Sequence, residues 1–123
     1  MTIDIRGCRI LIVEDEYFVA DDLAMDLRDM GAAVLGPVGS VTDALALIHA
    51  TPQIDGAVLD INLHGQMSYP IAALLQQRGT PFLFATGYDA WTVDDAYRDV
   101  VRHEKPVRPH DVVTALFGPG RKG

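Results

Sequence analysis

Glu14-Asp15, Asp60, Thr86 and Lys105-Pro106 are the residues whose types and spacing could do chemistry together. Each stands at the end of a short apolar or extended run, so three carboxylates, a hydroxyl and an ammonium are expected on one edge of the fold. Carboxylates crowded in this way repel and raise one another's pKa unless a cation lies among them, and an oxygen-only donor set suits Mg²⁺. A carboxylate at Asp60 could then attack a phosphoryl donor. The metal and the ammonium would neutralise the transferring oxygens, and the hydroxyl would hold the third. Lysine is scarce: Lys105 and Lys122 are the only two among ten cationic residues, and Lys122 falls in the C-terminal tail. A flexible ammonium at Lys105 can follow an arriving phosphoryl group, which a rigid guanidinium does less well. Taken singly, each member has an ordinary explanation: a solvated acidic loop, a turn carboxylate, a strand-end hydroxyl, a Lys-Pro turn. Their joint placement is what points to a site.

The elements that must position these groups alternate along the chain. Arg9 to Val13 is a β-branched run suited to a buried parallel strand. Residues 17 to 30 place Val19, Leu23, Leu27 and Met30 on one helical stripe, and Gly31 ends the helix. A second strand is predicted at about Ala33 to Leu35. Ser40 offers an N-cap to a helix carrying Ala44, Leu45 and Ile48, which Thr51-Pro52 stops. The third strand, about Ala57 to Leu59, leads into Asp60 and a polar loop, Asn62 to Ser68, before a helix starting at Pro70 with Ile71, Leu74 and Leu75 inward. Gly79 closes that helix, and Pro81 to Ala85 makes the fourth strand. Thereafter one or two helical turns are expected between Thr92 and Arg98, a polar edge strand at Val100 to Glu104, and a last helix at Pro109 to Phe117. Strands alternating with helices predict a doubly wound α/β fold, a parallel sheet covered on both faces, with reactive groups outside the carboxyl ends of the strands.

Length and composition narrow the classes of function. A chain of 123 residues, 49% hydrophobic, is expected to form a single domain with its core at about 8–117 and a flexible tail at 118–123. One cysteine, Cys8, allows no disulfide framework. A net charge of −7 disfavours a nucleic-acid partner. No apolar run reaches the ~20 residues of a bilayer span and no signal peptide is evident, so a cytoplasmic protein without membrane partner is expected. Four histidines, His49, His64, His103 and His110, lack metal-ligand spacing and are assigned no chemistry.

Glu14-Asp15, Asp60, Thr86 and Lys105-Pro106 resemble the motif set of response-regulator receiver domains, over nearly the whole chain. The resemblance implies a flavodoxin-like sheet of five parallel strands in the order 2-1-3-4-5. It implies that Asp60 accepts a phosphoryl group from a phosphohistidine on a histidine kinase or phosphotransfer protein. By the same resemblance Asp15 and Asp60 bind Mg²⁺ directly, Glu14 helps through water, Asn62 adds its backbone carbonyl, and Thr86 and Lys105 contact phosphoryl oxygens, with Lys105-Pro106 cis. The run Pro81 to Tyr88 further resembles the Phe-Ala-Thr-Gly-Tyr signature of the FAT GUY single-domain receivers, which implies stress-response signalling. Helix one would be the kinase-docking element.

Two departures stand out. The loop after Asp60 reads Ile61-Asn62-Leu63-His64-Gly65 without the family's usual proline, and Arg102 occupies the position three before the lysine where the family places its switching aromatic. The 18 residues from 87 to 104 leave helix four short or irregular. The segment Gly87 to Arg98 is therefore the expected switching element, with Tyr88 or Trp91 as its aromatic reporter. Three functional classes follow: a phosphorylation-dependent signalling module acting on a downstream protein, a phosphate sink or phosphorylation-independent binding module, and an aspartyl-nucleophile phosphohydrolase. Glu14-Asp15-Glu16 fails the Asp-x-Asp pattern of the last. A conventional turnover enzyme is not expected.

Overall fold

The computed structural model describes residues 3–87 and 93–118. In chain order the elements are β1 (Arg9–Val13), α1 (Tyr17–Asp29), β2 (Ala33–Val38), α2 (Val41–Ala50), β3 (Gly56–Asp60), β4 (Asn62–Leu63), β5 (Gln66–Met67) and α3 (Tyr69–Gln77). They continue with β6 (Phe82–Thr86), a 3₁₀ turn (Asp95–Tyr97), β7 (Arg102–Glu104) and α4 (Pro109–Phe117). Five parallel strands form one sheet in the order β2-β1-β3-β6-β7, the flavodoxin-like topology expected of the five sheet strands.

Side chains alternate across the sheet with period two, and the alternation divides the core. Ile10, Ile12, Val58, Leu83 and Ala85 face α1 and α4, where Ala20, Leu23, Ala24, Leu27, Val112, Val113 and Leu116 meet them. Leu11, Val13, Ala57, Leu59, Phe82 and Phe84 face α2 and α3, against Val41, Ala44, Ile48, Ile71, Ala72 and Leu75. The three central strands are thus covered on both faces, which is why their sequences are continuous apolar runs.

Several boundaries and faces differ from the sequence expectation. The buried stripe of α1 is Ala20, Leu23, Ala24 and Leu27, while Val19 is half-buried and Met30 is exposed. Small alanines sit where α1 approaches the sheet, turning the stripe from the larger residues that a hydrophobicity pattern favours. In α3 the inward positions are Ile71, Ala72 and Leu75, with Leu74 only half-buried.

β2 runs three residues past Leu35, because Gly36-Pro37 forms a bulge rather than an end: Leu11 pairs with Leu35 but Val13 with Val38. The extra residue lies on an edge strand, where a proline costs no ladder bond to a further neighbour. It returns Val38 to the ladder, and the Val38 carbonyl accepts from the Glu14 amide at 2.9 Å.

Gly56 begins β3 under α4. A Cβ there would meet Leu116 Cδ1 at 2.7 Å, so glycine lets the Leu116 side chain pack onto the strand and any larger residue would have to push it aside. Ser40 caps α2 as expected, its Oγ accepting from the Asp43 amide at 3.1 Å. Among the described residues no helix is long and apolar enough to cross a membrane. Residues 119–123, where most of the expected tail falls, lie outside the described residues.

Candidate functional site

β1 and β3 are adjacent and parallel, with Val13 beside Leu59, so both deliver their terminal acids to the same edge. Carboxylate oxygens of Glu14, Asp15 and Asp60 lie within 4.8 Å of one another. Glu14 and Asp60 are buried and Asp15 is partly so. An all-oxygen set this tight can hold a hard divalent cation.

Lys105 reaches the cluster from the far side. β7 pairs with β6, Glu104 beside Thr86, and the Lys105 amide donates to the Thr86 carbonyl at 2.9 Å, which fixes where the side chain starts. The Lys105-Pro106 peptide is cis, in agreement with the expectation. Its Nζ donates to Asp60 Oδ2 at 2.8 Å and to Glu14 Oε1 at 3.0 Å. It also reaches Glu16 Oε1 at 3.1 Å.

The electrostatics follow from burial. Desolvation pushes the Glu14 carboxyl up to about 7, against the hydrogen bond from Lys105 and with the repulsion of Asp60 adding to the rise. Asp60 is likewise raised, by burial first, with Lys105 opposing. Burial acts to lower Lys105, but its hydrogen bonds to Asp60 and Glu14 outweigh that and hold the ammonium above its ordinary range. The cluster therefore holds more acid than one ammonium can neutralise.

The remaining expected members are nearby with different contacts. The Asn62 amide donates to Asp60 Oδ1 at 3.2 Å, and the Asn62 side-chain oxygen accepts from Gly65 at 2.7 Å. Thr86 ends β6 beside this edge, but its hydroxyl donates to the His103 carbonyl at 3.4 Å.

The segment after Asp60 is not the plain loop that its polar residues suggest. β4 and β5 form a two-stranded antiparallel hairpin, Asn62 opposite Met67 and Leu63 opposite Gln66. Its tip turns through His64 at φ 50° and Gly65 at φ 87°, the paired left-handed conformations of a tight hairpin turn. This brings in a residue to which the sequence assigned no chemistry: the His64 amide donates to Asp15 Oδ2 at 2.8 Å, and its ring Nδ1 lies 3.4 Å from the same oxygen. Glu16 is the other addition. Its adjacency to Glu14-Asp15 was the available signal for it. For His64 the signal was a following glycine between Leu63 and Met67, a short hairpin pattern.

The helix-four region is reduced among the described residues to the 3₁₀ turn Asp95–Tyr97, capped by Asp94, whose carboxylate accepts from the Ala96 amide at 2.9 Å. Arg102 is exposed on β7, so the aromatic position before the lysine is indeed vacated. Tyr88 and Trp91 lie outside the described residues.

No family model matches the chain, and no curated protein matches it. Solved structures do. SdrG from Sphingomonas melonis Fr1, determined in solution, is 40% identical, with 89% of this chain and 93% of SdrG covered and a TM-score of 0.78. The BeF₃-activated conformation of SdrG from Pseudomonas melonis Fr1 is 38% identical, with 94% and 96% covered and a TM-score of 0.72. A response regulator receiver protein from Sinorhizobium medicae WSM419 shares the fold at 24% identity, with 89% and 91% covered and a TM-score of 0.74. With Glu14, Asp15, Asp60 and Lys105 gathered at the ends of their strands on this fold, the chain belongs to the response-regulator receiver domains.

Proposed function

We propose that this receiver accepts a phosphoryl group on Asp60 from a histidine kinase or histidine phosphotransfer protein, with Mg²⁺ as cofactor, and signals by phosphorylation-dependent protein–protein interaction. The observation that carries this is the buried Asp60 carboxylate, 2.8 Å from the Lys105 ammonium and clustered with Glu14 and Asp15. Asp15 and Asp60 would hold the Mg²⁺ directly, Asn62 through its backbone carbonyl and Glu14 through water. The bound ion would supply charge neutralisation for the phosphoryl oxygens.

In the transfer step an Asp60 oxygen attacks phosphorus, the P–N bond to the donor imidazole breaks, and an acyl phosphate forms. Lys105, already on Asp60, stabilises the oxygens that carry the charge, and Thr86 receives another once its hydroxyl turns from His103. Burial of Asp60 limits the access of bulk water to the carboxylate and to the acyl phosphate formed on it. The chain assists its own phosphorylation in this way without being a turnover enzyme. An adduct of the BeF₃ type, such as the one that activates SdrG, would occupy the same position on Asp60. The run Phe84-Ala85-Thr86-Gly87-Tyr88 supports membership of the FAT GUY group, and with it a cytoplasmic role in stress signalling.

Intact-mass spectrometry after incubation with a small phosphodonor and Mg²⁺ tests the assignment. Wild type should gain one phosphoryl mass, and Asp60→Asn or a chelator should abolish the gain. A variant that gains the mass as readily as wild type contradicts it.

A further inference from the structure

An aromatic cluster joins the site edge to the β7 side of the molecule. Tyr69 opens α3 directly after the hairpin, and Tyr97 closes the 3₁₀ turn. Their rings stack, with centroids 5.1 Å apart and planes within 5°. Both meet Phe84 edge-on, at 6.3 Å from Tyr69 and 6.0 Å from Tyr97. Two hydrogen bonds fasten the same place: the Asp94 amide donates to Tyr69 Oη at 2.9 Å, and the Tyr97 hydroxyl donates to the Tyr69 carbonyl at 3.4 Å.

The cluster sits between the groups that the chemistry moves and the surface that must report it. Phe84 and Thr86 are two residues apart on β6, so they share a face of the sheet. The Thr86 hydroxyl is committed to His103, which pairs with Ala85 next to Phe84, and reaching a phosphoryl oxygen on Asp60 requires it to leave that acceptor. On the other side, the Ser68 amide donates to the Ile61 carbonyl at 2.9 Å, which ties the residue before Tyr69 to the residue after Asp60. Arg102 is exposed and not aromatic, so β7 offers no Phe, Tyr or Trp of its own to follow Thr86.

We propose that the Tyr69–Tyr97 stack is a latch that holds residues 93–100 against α3 and Phe84 and is released when Asp60 is phosphorylated. The latch rests on the assignment of Asp60 as the phosphoacceptor. If a phosphoryl group releases it, linkage requires the reverse: weakening the latch tightens binding of a phosphoryl mimic by the same free energy.

Beryllofluoride, titrated calorimetrically in saturating Mg²⁺, tests this in wild type, Tyr97→Leu and Tyr69→Phe. Tyr97→Leu should bind the mimic about fivefold or more tightly, the lower end of typical couplings between sites. Tyr69→Phe keeps the stacked ring but loses the acceptor for Asp94, and should shift in the same direction by less. It also carries the test if Tyr97→Leu does not fold. In wild type the ¹⁵N–¹H signal of Asp94 should move on saturation, as its hydrogen bond to Tyr69 is lost. A lower melting temperature with unchanged or weaker affinity would make the stack a structural contact only and overturn the latch, as would an Asp94 signal that stays in place. Failure of wild type to bind beryllofluoride, together with no phosphoryl mass gain, would overturn the Asp60 assignment itself and the latch with it.

Discussion

β3 and β7 both end at the site, yet they are held very differently. All five residues of β3 are buried between two layers of helix, whereas β7 has three residues, two exposed and one half-buried, on the edge of the sheet. Asp60 is therefore fixed by packing, and Lys105 is fixed chiefly by the carboxylates that it meets. The contrast suits the two tasks. A nucleophile gains from a rigid seat, while the groups that respond to an added phosphoryl group must be able to move, and motion is drawn from regions with few buried contacts.

The comparison can be broken most directly by truncation on each side. Leu59→Ala removes a fully buried side chain from β3 and should lower unfolding free energy by about 2–5 kcal/mol in urea titrations. Val101→Ala, at a position 42% exposed beside β7, should change it by no more than about 0.5 kcal/mol. Equal costs would show that the two strands are anchored alike.

The acid cluster gives the next largest effect. Glu14, held up to about 7, and Asp60, raised as well, keep protons in the folded chain that the unfolded chain has released. Between pH 4.5 and about 7 the unfolded state thus binds fewer protons, and the stability of the cation-free protein should fall as pH rises through that window. Glu14→Gln should flatten this slope and leave the variant the more stable of the two at pH 7, measured by urea unfolding in chelator. An unchanged slope would mean that Glu14 is not the strained acid. A smaller loss than that at Leu59 is expected at the N-terminus of α2, which packs on β3 but carries no group of the site: Ser40→Ala removes the cap and should cost about 1 kcal/mol without altering phosphorylation.

The β1–β3 side was also the more legible in the sequence. Strands covered on both faces must be apolar throughout, so Arg9 to Val13 and Ala57 to Leu59 declared themselves, and each acid stood at the first polar position after them. Lys105 was recognisable because lysine is rare here. What escaped were features set by contacts distant in sequence. The bulge at Gly36-Pro37 reads locally as a strand end, and only pairing with Val13 continues it. His64 reads as a surface histidine until the hairpin folds it onto Asp15, a residue 49 positions earlier. The Tyr69–Tyr97 stack joins two residues with no shared periodicity, in a region where short, exposed segments give hydrophobic patterning little to act on.

The central claim is that Asp60, rather than its acidic neighbours, receives the phosphoryl group, and borohydride reduction followed by peptide mapping tests it most directly. Reduction converts an aspartyl phosphate to homoserine. Phosphorylated wild type should carry homoserine at position 60 and retain Glu14 and Asp15 unmodified. Reduction at position 15, or an intact Asp60 in protein that has gained the phosphoryl mass, would contradict the account.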